Sequence, residues 1–141
     1  MTLEELEKRV KVLEDIEEIK KLHTNYVYLL CNLQWDDMLD CFAENATLDL
    51  LDHGVRKGKK EIGEIFHNVL AKMIKPTDGH FVGQPVISVD GDKAKGHWLL
   101  YLFFSEPSVR WVQGRQDCEY VKIKGKWKFS SVRFTSPWPQ P

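Results

Sequence analysis

The side chains best placed for chemistry lie on the C-terminal half of the chain. In the run Lys126 to Ser136, read with a period of two, Trp127, Phe129, Ser131 and Arg133 share one face and Lys128, Ser130 and Val132 the other. A guanidinium beside two large rings needs an anion or a carboxylate, because burying it alone is costly. Arg133 therefore reads as a polar anchor, or as a strand-end side chain that snorkels into solvent. Upstream, Gln116 shares parity with Gly114, Cys118 and Tyr120, opposite a charged set of Arg115, Asp117 and Glu119 that reads as a solvent or subunit-contact ladder. On the preceding strand Trp98 is placed inward and His97 and Tyr101 outward. Near the N-terminus Tyr26 lies beside an apolar helical stripe, as a site residue or a plain core tyrosine.

Other chemistries lack their patterns. His23, His53, His67, His80 and His97 show neither helical i, i+4 pairs nor a compact Cys/His spacing, so no metal is expected. Asp90-Gly91-Asp92 is calcium-like for three residues only and reads as a hairpin turn. Gly54, Gly58 and Gly63 do not form a phosphate loop, and there is no nucleophilic serine elbow, so no organic cofactor is expected either.

The elements that must position these residues follow from periodicity. Leu3, Leu6, Val10, Leu13 and Ile16, continued by Ile19, Leu22, Tyr26, Val27 and Leu30, predict one long helix. Its charged first half reads as an exposed or partner-packed arm over residues 1–14. A short helix is expected over Trp35–Phe42, a strand over Ala46–Leu51, and a third helix over Gly58–Ile74, where Ile62, Ile65, Phe66, Val69, Leu70 and Met73 form one face. The period then becomes two, with strands over His80–Val89, Lys93–Ser105, Val109–Ile123 and Lys126–Ser136. Three helices with one inserted strand, followed by an antiparallel meander, is an α+β order. Along Lys93–Ser105 both faces are apolar: Trp98, Leu100, Leu102 and Phe104 on one, His97, Leu99, Tyr101 and Phe103 on the other. Both should be covered, one by helices and one by a second subunit.

Composition bounds the whole. The chain has 141 residues, with 20 Lys+Arg against 21 Asp+Glu, 43% hydrophobic and 29% charged. That suits one domain over residues 1–136 with a Pro-rich tail at 137–141, and excludes a general basic field for nucleic acid. No apolar run approaches membrane-spanning length, the N-terminus has no signal-peptide pattern, and three cysteines without a CxxC suit a reducing, cytoplasmic setting.

Three stretches together carry a resemblance: Cys31-Asn32-Leu33-Gln34-Trp35-Asp36, His80-Phe81-Val82-Gly83, and Tyr120 to Phe129. Over Asp15 to Phe134 the chain resembles the SnoaL-like branch of the nuclear-transport-factor-like superfamily, whose members include scytalone dehydratase, a bile-acid dehydratase and hexachlorocyclohexane dehydrochlorinase. The resemblance implies a cone-shaped, curved antiparallel sheet wrapped by three helices, with an apolar pocket at its open end. In those lyases an Asp ending the first helix orients a His on the first meander strand, which removes a substrate proton. Here His80 falls on the histidine position, and Cys31 falls on the Asp position. A neutral thiol cannot stabilise an imidazolium as a carboxylate does. Three arrangements stay open: a Cys31–His80 thiol–imidazole pair, a different acid (Asp49 or Asp52) orienting His80, or a His80 that bonds a ligand without catalysis. The resemblance also implies ligand contacts from Tyr26, Gln116 and Arg133, with Trp35, Asp49 and Trp98 completing the candidate substrate-binding set.

The expected function is a cofactor-independent lyase or isomerase, with His80 as general base on a small apolar, hydroxylated or ketonic molecule. The alternative is a non-catalytic hydrophobic-ligand-binding or assembly protein. A homodimer or homotrimer is expected, with no nucleic-acid or membrane partner.

Overall fold

The computed structural model describes residues 1–138, without the side chains of Asp52, Pro137 and Trp138. Most of the tail at 137–141 and the side chain of Asp52 therefore lie outside the described residues.

The apolar stripe of the first thirty residues forms a single helix, α1 (Leu3–Cys31), started by a capping box in which Thr2 and Glu5 satisfy each other's backbone N–H groups. Residues 1–14 are exposed throughout, and the core face begins at Asp15 and runs on through Ile19, His23, Tyr26, Val27 and Leu30. The buried Asp15 carboxylate fixes that transition, accepting hydrogen bonds from Lys11 at 3.1 Å, Lys122 at 3.0 Å and the Trp127 indole at 3.1 Å. Burial opposes its ionisation, but the bonds from Lys122, Trp127 and Lys11 outweigh that and hold its pKa below the ordinary value.

Helix α2 (Trp35–Leu39) leads into β1 (Phe42–Leu50), and a short edge strand, β2 (Val55–Lys57), follows. The helix expected over Gly58–Ile74 is split into α3 (Gly58–Ile65), a π-helical turn (Phe66–Leu70) and a last turn, α4 (Ala71–Met73). The wider turn buries Phe66 completely and leaves His67 outside, 3.0 Å from Asp36. The meander strands are β3 (Gly79–Asp90), β4 (Lys93–Phe104), β5 (Arg110–Ile123) and β6 (Lys126–Trp138).

The six strands make one curved, unclosed sheet in the order β2-β1-β6-β5-β4-β3. It is not wholly antiparallel, because β1 lies parallel to β6. The long connection between them, the four strands β2 to β5 and the α3 helix, supplies the crossover that parallel pairing requires. Helix α1 packs on β3 and β6, and α3 on β1, so the helices cover the inner face, where Trp98, Leu100 and Phe104 are buried.

One irregularity decides which residues reach that face. Tyr120 pairs with Phe129 but Glu119 pairs with Ser131, so Ser130 is an extra residue in β6. A β-bulge of this kind shifts the alternation by one. Trp127 and Phe129 before it, and Val132 and Phe134 after it, all point inward, while Arg133 turns outward. The uniform parity predicted for Arg133 fails there. On the outer face Phe81 stacks on Tyr101 at 4.9 Å and on Phe103 at 5.9 Å, uncovered in the single chain.

Candidate functional site

The helices and the inner face enclose a cavity of about 260 Å³, walled by apolar groups that include Leu30, Leu70, Leu100, Leu102 and Phe134. Aliphatic cavities of about 150 Å³ accept benzene, so this one has room for more than a single ring. The Phe134 wall depends on Gly114, where any β-carbon would run into the Phe134 ring. Polar groups reach the lining at few points: Tyr26, Gln116, His53 and Arg110. The Arg110 guanidinium lies 4.2 Å over the Phe104 ring, itself part of the wall.

Two buried histidines adjoin this space, in opposite states. His80, second residue of β3, pairs across the sheet with Leu102 and packs edge-on against Phe104 at 5.9 Å. It is only 9% exposed, and neither Nδ1 nor Nε2 has a hydrogen-bond partner among the described residues. Burial lowers its pKa, partly opposed by the Asp78 charge, so the ring is neutral at pH 7. Asp78 does not bond the ring. Its carboxylate accepts from the Lys75 N–H at 2.9 Å, the Ser105 N–H at 2.8 Å and the Ser105 hydroxyl at 2.9 Å, clasping the start of β3 to the end of β4. Desolvation works against that charge, but these donors and His80 hold the Asp78 pKa below its ordinary value.

His23 is fully buried with both ring nitrogens engaged. It stacks on Trp98 with centroids 4.2 Å apart, its Nδ1 lies 2.8 Å from the Tyr120 hydroxyl, and its Nε2 lies 2.7 Å from Gln116 Oε1. The Trp98 indole donates to the same Tyr120 hydroxyl at 2.9 Å. Burial pulls the His23 pKa down to about 4, with the Gln116 bond acting weakly the other way. Burial also raises the pKa of Tyr120, so the phenol keeps its proton.

Of the residues chosen from the sequence, Tyr26 and Gln116 reach the cavity. His80 adjoins it behind Phe104 and does not line it. The Cys31 thiol donates to the His80 backbone carbonyl at 3.3 Å, so the thiol–imidazole pair is not formed. Trp98 is inward, but it backs His23 instead of lining the cavity. Trp35 sits in a shallow surface groove with Asp36, Asp37 and His67. Asp49 and Arg133 face each other across the outer surface at 3.8 Å, far too open to orient His80 or to anchor a ligand inside. The sequence reading missed His23, although its place between Ile19 and Tyr26 on the buried stripe, with Gln116 and Tyr120 sharing one strand face, was a usable signal. Arg110 and His53 were also missed, since loop-adjacent residues carry no periodic signal. Among the described residues no three His, Cys, Asp or Glu side chains converge on a metal-sized site, and no helix is long and apolar enough to cross a membrane.

A curved sheet wrapped by helices around an apolar hollow with a few inward polar groups defines a class of small-molecule pockets. Residues 11–133 match the SnoaL-like domain model, and the chain belongs to that family. Among solved structures it is similar to a candidate scytalone dehydratase from Novosphingobium aromaticivorans (16% identity, 88% of this chain and 85% of that one, TM-score 0.79). It is also similar to a hexachlorocyclohexane dehydrochlorinase from Novosphingobium barchaimii (18% identity, 89% and 88%, TM-score 0.77). A third likeness is to a cystatin-like-fold protein of unknown function from Nostoc punctiforme (23% identity, 90% and 94%, TM-score 0.80). At these identities the likeness concerns the fold. No curated protein sequence matches the chain.

Proposed function

We propose that this protein is a cofactor-independent lyase or isomerase that moves a proton on a small apolar, hydroxylated or ketonic molecule, with His80 as the general base. The observation that carries the reading is the state of its imidazole: buried, neutral and, among the described residues, unpartnered at both nitrogens. Leaving a buried polar group unmade costs about 1–3 kcal/mol, and a purely structural histidine would be bonded, as His23 is. A free lone pair at neutral pH is what a base needs. The Asp78 charge favours the imidazolium that would form, doing at a distance part of what a bonded carboxylate does in the dehydratases that the sequence resembles. Phe104, which touches both the imidazole and the cavity, would have to turn aside for substrate to reach the base.

The test needs no knowledge of the natural substrate. In D2O, ring ketones such as 2-tetralone exchange their acidic C–H protons, and proton NMR follows the loss of signal. The protein should accelerate this exchange, and His80→Gln should lower the acceleration at least about 100-fold. Equal rates for folded His80→Gln and the parent would remove His80 from the role.

A second reading, a binding protein that keeps the pocket without the chemistry, is favoured by Cys31. Its thiol bonds main chain at the place where the resembled lyases carry an acid. Tight ketone binding without any exchange would establish it.

We further propose that the chain self-associates through the outer face of β3 and β4, where Phe81 is 52% and Phe103 41% exposed. Light scattering at micromolar concentration should give a dimer or trimer, and Phe81→Lys with Phe103→Lys should give a monomer. The three cysteines are free, which suits a reducing, cytoplasmic setting.

A further inference from the structure

The hydrogen-bonded chain behind the cavity has a direction, and one group fixes it. Trp98 Nε1–H can only donate, and it donates to the Tyr120 oxygen. The phenol then has one proton left. Directed to His23 Nδ1 at 2.8 Å, it makes that nitrogen the acceptor and places the ring proton on Nε2, which donates to Gln116 Oε1 at 2.7 Å. Every proton in the chain then has an acceptor. The reverse arrangement, with Nδ1–H donating to Tyr120 and the Gln116 amide turned over, leaves the Tyr120 proton only the buried Cys118 sulfur, a weak acceptor. Trading the imidazole nitrogen for a thiol sulfur gives up most of that hydrogen bond in a desolvated site, so the forward direction wins.

The consequence lies at the far end. Gln116 lines the cavity, and with Oε1 turned to His23 the end of its carboxamide left for the cavity is the N–H donor. The low pKa of His23 keeps the ring neutral across the physiological range, so the direction does not flip with pH. Among the described residues the cavity lining contains no carboxylate to compete for that donor.

We propose that the cavity selects apolar molecules carrying a hydrogen-bond acceptor, a carbonyl or similar oxygen, at the depth of Gln116, and that His23 is the positioning residue that holds the amide with its N–H inward. This deepens the pocket reading above and rests on it only in taking the cavity as the ligand site. Whether His80 catalyses is a separate matter.

The experiment has two arms on the full chain. Nitrogen-15 NMR of the histidine rings reads which His23 nitrogen carries the proton. Nε2–H is expected, and Nδ1–H would overturn the proposal without any ligand being involved. Calorimetry then compares 2-tetralone with tetralin, which has the same ring skeleton and no acceptor. The ketone should bind about five- to tenfold more tightly, the range one net hydrogen bond supports. Gln116→Leu should erase that preference, and the near-isosteric Gln116→Met serves if the first variant folds poorly. Tyr120→Phe, which removes the proton that orders His23, should shrink the preference while tetralin still binds. Equal binding of the two probes by the parent, or binding of neither, overturns the proposal. Preferential ketone binding without hydrogen–deuterium exchange leaves it standing and sinks only the catalytic reading.

Discussion

Two histidines a few residues from the same cavity have been treated in opposite ways by the fold. His23 is packed between Trp98 and Phe129 with both nitrogens bonded, and His80 is packed on Phe104 with neither bonded among the described residues. Both are buried, and burial lowers both pKa values. The difference is therefore not exposure or charge. It is that one ring completes a chain of internal donors and acceptors, and the other keeps its capacity for something outside the chain. A satisfied buried imidazole belongs to the scaffold, and on the proposed function the unsatisfied one serves the substrate.

Swapping both for leucine gives the largest expected effects, with opposite signs. His23→Leu orphans the Tyr120 hydroxyl and the Gln116 oxygen and should cost about 3 kcal/mol in urea unfolding. His80→Leu removes two unmet polar atoms and should be neutral or stabilising by up to about 1 kcal/mol. A loss at His80 as large as that at His23 would mean that its nitrogens are bonded after all, and the contrast would be gone.

Acid should sharpen the same contrast. A histidine ordinarily titrates near 6.5, and His23 in the folded chain does so at about 4. Between those values the unfolded chain binds the proton and the folded one does not, so stability is full above 6.5 and falls as pH drops toward 4. A shift of that size corresponds to about 3 kcal/mol, to which His80 adds in the same direction. Asp15 and Asp78, with pKa values held below the ordinary 3.8, lose their contribution only at lower pH still. Urea midpoints between pH 7 and pH 4 should fall steeply for the parent and much less for His23→Leu. Parallel slopes would show that His23 is not the buried base it is taken for.

Much of this was legible in the residues, because periodicity is a local property. The stripe of α1, the doubly apolar β4 and the hairpin at Lys124-Gly125 all formed where spacing placed them. The inward set of β5 was legible for the same reason, and it placed Gln116 on the cavity and Tyr120 behind it. What spacing cannot carry is a change of register. Ser130 looks like any strand residue, yet as a bulge it inverts everything after it, and Arg133 leaves the pocket. Nor can spacing reveal an acceptor on the main chain, which is where the Cys31 proton goes. The π-helical turn at Phe66–Leu70 is hidden in the same way, since its apolar pattern also fits an α-helix.

The bulge also yields the smallest expected effect, and a useful control. Arg133 is 65% exposed at its side chain, and its Nε lies 3.8 Å from Asp49 on the outer face. Such surface pairs contribute about 0–1 kcal/mol, and this one is long and open to solvent. Arg133→Ala should change the urea unfolding free energy by less than about 0.5 kcal/mol and leave both 2-tetralone binding and proton exchange unchanged. Were the arginine inward, as strict alternation from Trp127 requires, its loss would remove an anion site and either uncover a buried carboxylate or relieve a buried charge. Each of those consequences is measured in kilocalories. A silent Arg133→Ala therefore tests the register of β6 directly, and with it the placement of Val132 and Phe134 against the core on which the cavity wall depends.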